Sequence, residues 1–183
     1  MTPVPGLERL LVLDRLEVGP PHLDRRGLRV PYRVEAGGTA AGTTLSYRYE
    51  EDVFDPDDPA SQNLGALIGA QVALNYGLFA REIRLHGYLD AADRTFLASA
   101  ASNTAREIFV HKILRDNPFI TDSVRNMEAV RAESYLQADI VYDGPAAGGK
   151  SPAWSRDRTR IAVLSSGGKE SLLSYGLLRE AGL

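Results

Sequence analysis

Apolar side chains recur at every second position over residues 27–35 and again over 43–50, and at intervals of three and four beyond residue 62. Side chains alternate across a strand and return every 3.6 residues on a helix. A chain that carries the two periods in separate blocks is constrained to strands first and helices after, an α+β arrangement.

The strand block divides into three. Residues 10–18 (LLVLDRLEV) read as a strand. Over 27–35, Leu28, Val30, Tyr32 and Val34 face one way, with Arg29 and Arg33 opposite. Pro31 has no amide for a ladder, which places this strand at a sheet edge. Over 43–50 the alternation runs through Leu45, Tyr47 and Tyr49. Gly19-Pro20-Pro21 and Ala36-Gly37-Gly38 supply the turns of a small antiparallel meander. The acidic stretch Glu50, Glu51, Asp52, Asp55, Asp57 and Asp58 follows, interrupted by Pro56 and Pro59. No spacing holds those carboxylates on one face, so a solvated loop is expected rather than a metal site.

From Gln62 to His86 the apolar positions Leu64, Leu67, Ile68, Val72, Phe79 and Ile83 predict a helix, with Tyr76 in the core. Gly65, Gly69 and Gly77 each weaken such a helix by about 1 kcal/mol relative to alanine, or mark close packing. Asp90 and Asp93 form an N-terminal capping pair. Residues 91–115 predict one long helix, or two broken near Ser102-Asn103, ended by Pro118. A shorter helix is expected over 122–134 through Val124, Met127 and Val130, and a strand over 138–142 (ADIVY). Residues 143–158 are a polar connector, in which Trp154 is suited to packing the linker onto the next domain. A short buried strand (159–164, TRIAVL) and a helix (171–181) stopped by Gly182 complete the pattern. The expected organisation is an N-terminal α+β domain over 1–142, a linker over 143–158, and a single strand-loop-helix unit of a further domain over 159–183.

Composition removes several functional classes. With no cysteine there are no disulfides, thiolate zinc sites or cysteine nucleophiles. A net charge of −3 leaves no electrostatic footprint for nucleic acid. No apolar run reaches the roughly 18–20 residues of a membrane span, and residues 1–13 lack the pattern of a signal peptide. A cytoplasmic protein with no membrane or nucleic-acid partner is expected. His22, in a turn, and His86 and His111, in helical patterns, make no metal set and read as surface or cap residues. Arg106, Arg115, Arg125 and Arg131 are spread along the helices, where some could bind an anionic small-molecule substrate such as a nucleotide sugar.

Only three of the 21 basic residues are lysine, and two of those, Lys150 and Lys169, follow Gly-Gly. Residues 144–151 (GPAAGGKS) match GxxxxGK[ST], the pattern of a P-loop. A strand precedes it, but Ser151-Pro152-Ala153-Trp154 cannot continue as the amphipathic helix that motif needs. The second loop, Ser165-Ser166-Gly167-Gly168-Lys169-Glu170-Ser171, has a strand before it and a helix after it. Gly167 and Gly168 let backbone amides approach an anion, the helix N-terminus favours negative charge, and Lys169 adds a point charge. Ser166 and Ser171 can add hydroxyl donors.

Strand, SGGKES and amphipathic helix together resemble the PP-loop of the ATP pyrophosphatase superfamily, usually SGGxDS. The resemblance covers about the last 25 residues. It implies that 159–183 opens an α/β adenine-nucleotide alpha-hydrolase-like domain. It also implies that Ser166, Gly167, Gly168, Lys169, Glu170 and Ser171 bind ATP, with magnesium, in an enzyme that releases AMP and pyrophosphate. Glu170 stands where that family has aspartate. The layout, with about 160 residues ahead of the loop, is similar to the UDP-N-acetylmuramoyl-L-alanyl-L-glutamate epimerase family. That similarity implies adenylation of a terminal L-glutamate carboxylate and inversion at its Cα during peptidoglycan synthesis, on an anionic nucleotide-sugar peptide. A nucleotide-binding α/β domain needs several parallel strands. The expectation is therefore an enzyme fragment, inactive as this chain alone, with an uncovered apolar face on its last helix. The competing expectations are a non-catalytic binding module and a P-loop NTPase using 144–151. No residue can be named as the base.

Overall fold

The computed structural model describes residues 6–125, 127–128, 131–144 and 168–182. The chain divides into two compact units, Met1–Ser151 and Pro152–Leu183. In the first unit a 3-10 turn (Leu7–Leu10) precedes β1 (Leu13–Val18), β2 (His22–Asp24), β3 (Gly27–Ala36) and β4 (Thr39–Arg48). There follow α1 (Pro59–Ala73), β5 (Ala80–His86), α2 (Ala91–Ile108), α3 (Asp122–Arg125) and β6 (Asp139–Asp143). The second unit contributes α4 (Lys169–Glu180).

Among the described residues the first unit is mixed α/β around a six-stranded sheet in the order β2-β3-β1-β5-β6, with β4 paired to β3. The meander is there, since β1, β2 and β4 all pair antiparallel to β3. It is extended by two parallel strands, with β5 against β1 and β6 against β5. The β3–β4 hairpin closes on Gly37 and Gly38, with φ of 54° and 78°. Two consecutive positive φ values are what a two-residue hairpin of this twist requires, and glycine adopts them without a Cβ clash.

The structure corrects the sequence reading at five places. Residues 62–86 are not one helix: α1 ends at Ala73, a 3-10 turn spans Leu74–Tyr76, and Ala80–His86 is a strand. Phe79 and Ile83 are four residues apart, a spacing that both periods allow, and pairing with β1 decides between them. Tyr76, expected inside, is 43% exposed on that turn. β3 is not an edge strand, for it carries β1 and β2 on one side and β4 on the other. Pro31 is tolerated because its carbonyl accepts the Gly19 amide at 2.8 Å, so the donor it lacks would face the break between β1 and β2. The helix expected over 122–134 is confined to Asp122–Arg125. Finally, His22 lies in β2 and His86 ends β5, so neither sits where a turn or helix was expected.

Other expectations hold. α2 is continuous through Ser102 and Asn103 and passes into a π-helical turn, Phe109–Ile113. Asp90 and Asp93 make the reciprocal capping box. ADIVY forms β6, shifted by one residue. Asp58 caps α1 through the Ser61 amide, with Pro59 as the first helical residue. The remaining acidic stretch is a loop in which Asp52 pairs with Arg25 and Arg26.

The core lies on one face of the sheet. Leu16, Val18, Leu28, Val30, Tyr32, Ile83 and Leu85 are buried there with Ala66, Ala70 and Ala73 of α1 and Leu97 and Ala101 of α2. Each large side chain buried contributes about 1.5–3 kcal/mol. α1 sits close because its sheet-facing residues are small. A Cβ on Gly65 would come to 3.0 Å from Leu23, and one on Gly69 to 3.0 Å from Val30. A second cluster joins Leu7, Leu10 and Leu78 to Ala105, Phe109 and Tyr135, and the Phe109 and Tyr135 rings stack at 4.8 Å. The opposite sheet face is ionic. Glu35 meets Arg15, Arg15 meets Glu82, Glu82 meets Arg84, and Arg84 meets Asp143 across β3, β1, β5 and β6. Among the described residues no helix is long and apolar enough to cross a membrane.

Candidate functional site

The SGGKES segment enters the described structure at Gly168; Ser166, Gly167 and the strand expected over 159–164 lie outside the described residues. Gly168 is the N-cap of α4, with extended backbone at φ −85° and ψ 167°. Lys169 is the first helical residue, followed by Glu170 and Ser171. The helix therefore starts two residues ahead of the expected 171, and the lysine falls within its first turn. First-turn amides have no i−4 carbonyl inside a helix, so Lys169, Glu170 and Ser171 carry amides of the type that receive anions.

The side chains of this turn divide by role. Lys169 and Glu170 are exposed. The Ser171 hydroxyl donates to the Gly168 carbonyl at 2.9 Å, and the Ser174 hydroxyl donates to that of Glu170 at 2.9 Å. The Ser171 proton is thus directed at the helix cap. Glu170, in the first turn, is favourably placed for the helix dipole and brings a negative charge to the same end. The rest of α4 buries nothing among the described residues. Leu172, Leu173, Tyr175 and Leu177 are 57–64% exposed.

The competing loop begins at Gly144, directly after β6, while 145–151, including Lys150, lie outside the described residues. A Cβ at position 144 would collide with the carbonyl oxygen of Gly87. Close contact between two main chains accounts for the first glycine of the GxxxxGK[ST] match without a phosphate. Trp154 also lies outside the described residues.

Of the arginines on the helices, Arg125 is engaged locally, with Asp122 at 3.0 Å and the Ile120 carbonyl at 3.1 Å. Arg106 is placed differently. It borders a polar cleft of about 330 Å³ with Ser99, Ser102 and Asn103 of α2 on one wall and Glu133 and Ser134 on the other. The Ser102 and Ser134 hydroxyls meet at 3.1 Å across it. Neither Arg106 nor Glu133 has an ion-pair partner among the described residues. The cleft was missed because Ser102-Asn103 reads as a helix break. The signal was present: Ser99, Ser102, Asn103 and Arg106 fall at i, i+3, i+4 and i+7, one stripe of α2, while Leu97, Ala101 and Ala105 form the buried row.

The histidines make no cluster. His86 Nε2 lies 2.7 Å from Glu17 Oε1 on the ionic sheet face, and His111 Nε2 lies 3.5 Å from Glu107. Among the described residues no group of three or more histidine, aspartate or glutamate side chains is arranged to hold a metal ion.

The chain matches no family model, no curated protein and no solved structure.

Proposed function

We propose that residues 166–171 form the pyrophosphate-binding part of an ATP site, in an enzyme that adenylates a substrate carboxylate and releases AMP and pyrophosphate. The observation that carries this reading is the start of α4 on the SGGKES segment. Gly168 caps the helix in extended backbone, and Lys169 stands exposed in its first turn. An anion there meets backbone amides, the positive end of the helix dipole and an ammonium group together. In this reading Ser166, Gly167, Gly168, Lys169 and Ser171 hold the phosphates, Ser171 partly by fixing the cap. Magnesium would accompany the nucleotide, with Glu170 the nearest carboxylate to it in sequence.

The finer reading is an epimerase acting on the terminal L-glutamate of a UDP-muramoyl dipeptide. Its support is the resemblance in layout and the chemistry that adenylation offers. Converting the carboxylate to an acyl adenylate removes its negative charge and makes the Cα proton more acidic. A base can then take that proton and return it to the other face, and hydrolysis restores the acid. The test is product analysis on the longest form that the gene encodes, given ATP, magnesium and carboxylate substrates. AMP and pyrophosphate support the reading. ADP and phosphate would transfer it to the 144–151 loop.

A second reading is favoured by the α2 cleft: a non-catalytic module that binds a small anionic ligand through Arg106. Nucleotide consumption separates the two. A module binds its ligand, loses binding on Arg106→Ala, and consumes no ATP with any substrate.

A further inference from the structure

β4 is the sheet strand with the least protection against pairing. It runs ten residues from Thr39 to Arg48, is exposed along nearly its whole length, and pairs only with β3 among the described residues. No charged residue and no proline falls between Thr39 and Tyr47. Sheet edges exposed in monomers are usually shortened, charged, bulged or covered. β6, the last strand on the other side of the sheet among the described residues, follows that rule with five residues and an aspartate at each end. β4 does not.

The pairing with β3 shows which of its backbone groups point outward. Ala36 and Thr39 close the two-residue hairpin, so they exchange hydrogen bonds, and the pattern alternates from there. The amides and carbonyls of Thr39, Ala41, Thr43, Leu45 and Tyr47 therefore face β3. Those of Ala40, Gly42, Thr44, Ser46 and Arg48 face away from it. Pro31 agrees with this phase, since it lies opposite Thr44 and needs no donor on that side.

We propose that β4 pairs antiparallel with β4 of a second copy of this chain, about a two-fold axis at Thr43. This register sets Ala40 opposite Ser46 and Gly42 opposite Thr44 of the other copy. Four of the five outward residues of each strand are then paired with the same four of the other, and the fifth, Arg48, falls beyond the paired segment, opposite Gly38 of the other copy. The strand is its own complement, because an uncharged segment meets itself with no like-charge contact. Thr43 meets Thr43 in the closer, non-hydrogen-bonded type of pair, a favourable cross-strand combination. Ala41 meets Leu45, small against large. Side chains over 39–44 are small enough for the two strands to approach. A two-fold contact of this kind uses the edge once on each copy and closes at a dimer.

The experiment is sedimentation equilibrium on the whole chain, with two variants. The wild type is expected to approach twice the chain mass as concentration rises. Thr44→Pro removes only an outward amide and leaves the β3 ladder intact, so it is expected to stay monomeric with an unchanged circular-dichroism spectrum. The chain has no cysteine, which allows a second readout that does not depend on the proline variant folding. Thr43→Cys is expected to form an interchain disulfide under mild oxidation, faster than Ser46→Cys, which the register places opposite Ala40. A wild type that is monomeric at every concentration overturns the proposal. So does a dimer that Thr44→Pro leaves intact, or equal cross-linking of the two cysteine variants.

Discussion

The phenol of Tyr32, on β3, donates a hydrogen bond to the main-chain carbonyl of Gly69, on α1. The glycine lets α1 lie close enough over the sheet for the bond to form, and it leaves the hydroxyl buried under the helix. Burial, reinforced by the neighbouring Tyr47 and Tyr76, pushes the Tyr32 pKa from 10.0 up to about 12. The folded state holds this proton more tightly than the unfolded chain. Stability is therefore full below pH 10 and falls as pH rises from 10 towards 12, by about 3 kcal/mol for this group. Tyr32→Phe is expected to remove most of that slope, leaving the smaller contribution of Tyr142, which burial also raises. Urea unfolding at pH 8, 10 and 11 measures it. A slope unchanged in the phenylalanine variant would contradict the assignment.

Asn63 joins the two helices at one point. Its amide donates to the Tyr88 carbonyl at 2.9 Å and to Asp93 at 2.6 Å, and the same Asp93 oxygen accepts the Asp90 amide at 2.9 Å. The capping box of α2 is thus also a tertiary contact. Asn63→Ala and Asp93→Ala are each expected to cost about 1–2 kcal/mol. Because they share a bond, the double variant should cost less than the sum of the two. Denaturant midpoints for the four proteins close this cycle. Strict additivity would show the contact to be idle.

Glu82 lies between Arg15 at 2.8 Å and Arg84 at 3.1 Å on the ionic sheet face. Desolvation acts to raise its pKa, but the hydrogen bonds and positive charges of Arg84 and Arg15 together outweigh it, so the carboxyl titrates below its usual 4.5. The folded state here favours the ionised form. Its contribution is present above pH 4.5 and is lost as pH falls through the lowered value. Glu82→Gln is expected to flatten the acid limb of the stability profile and leave the alkaline limb unchanged. Thermal melts between pH 3 and 7 read this directly.

How far these features could be seen in advance depends on whether their cause was local. The Asp90–Asp93 box is written within one turn of backbone, and it folds as read. The alternation Leu28, Val30, Tyr32, Val34 marks the buried side of β3 for the same reason. Pro31 misleads because its effect depends on a break in a different strand, at Gly19-Pro20. Phe79 and Ile83 mislead because an interval of four fits both periods, and only the parallel pairing of β5 with β1 separates them. The α2 cleft escaped because Ser102-Asn103 reads as a helix break, which hides the stripe Ser99, Ser102, Asn103 and Arg106; its other wall, Glu133 and Ser134, is set by tertiary packing alone. The candidate nucleotide loop lies at the opposite extreme. Glycines, lysine and helix are adjacent in sequence, and the helix is present, but it begins at Lys169, two residues ahead of the expected 171.

The two Gly-Gly-Lys loops make the sharpest comparison. Lys169 sits in the first turn of α4, where its charge adds to the helix dipole at one point. The loop that carries Lys150 opens on Gly144, whose lack of a side chain is explained by contact with Gly87. If 166–171 holds the pyrophosphate of ATP, Lys169→Ala removes charge that grows in importance as the leaving pyrophosphate separates. Loss of one such contact lowers turnover by about a hundredfold or more. Lys150→Ala should leave most of the rate. Pyrophosphate release by the two variants, measured at saturating ATP and substrate, distinguishes the loops. Lys169→Arg adds a control: it keeps the charge but changes the point ammonium to a planar fork, so partial activity is expected. Loss of activity in Lys150→Ala with retention in Lys169→Ala would reverse the assignment and move the nucleotide to 144–151.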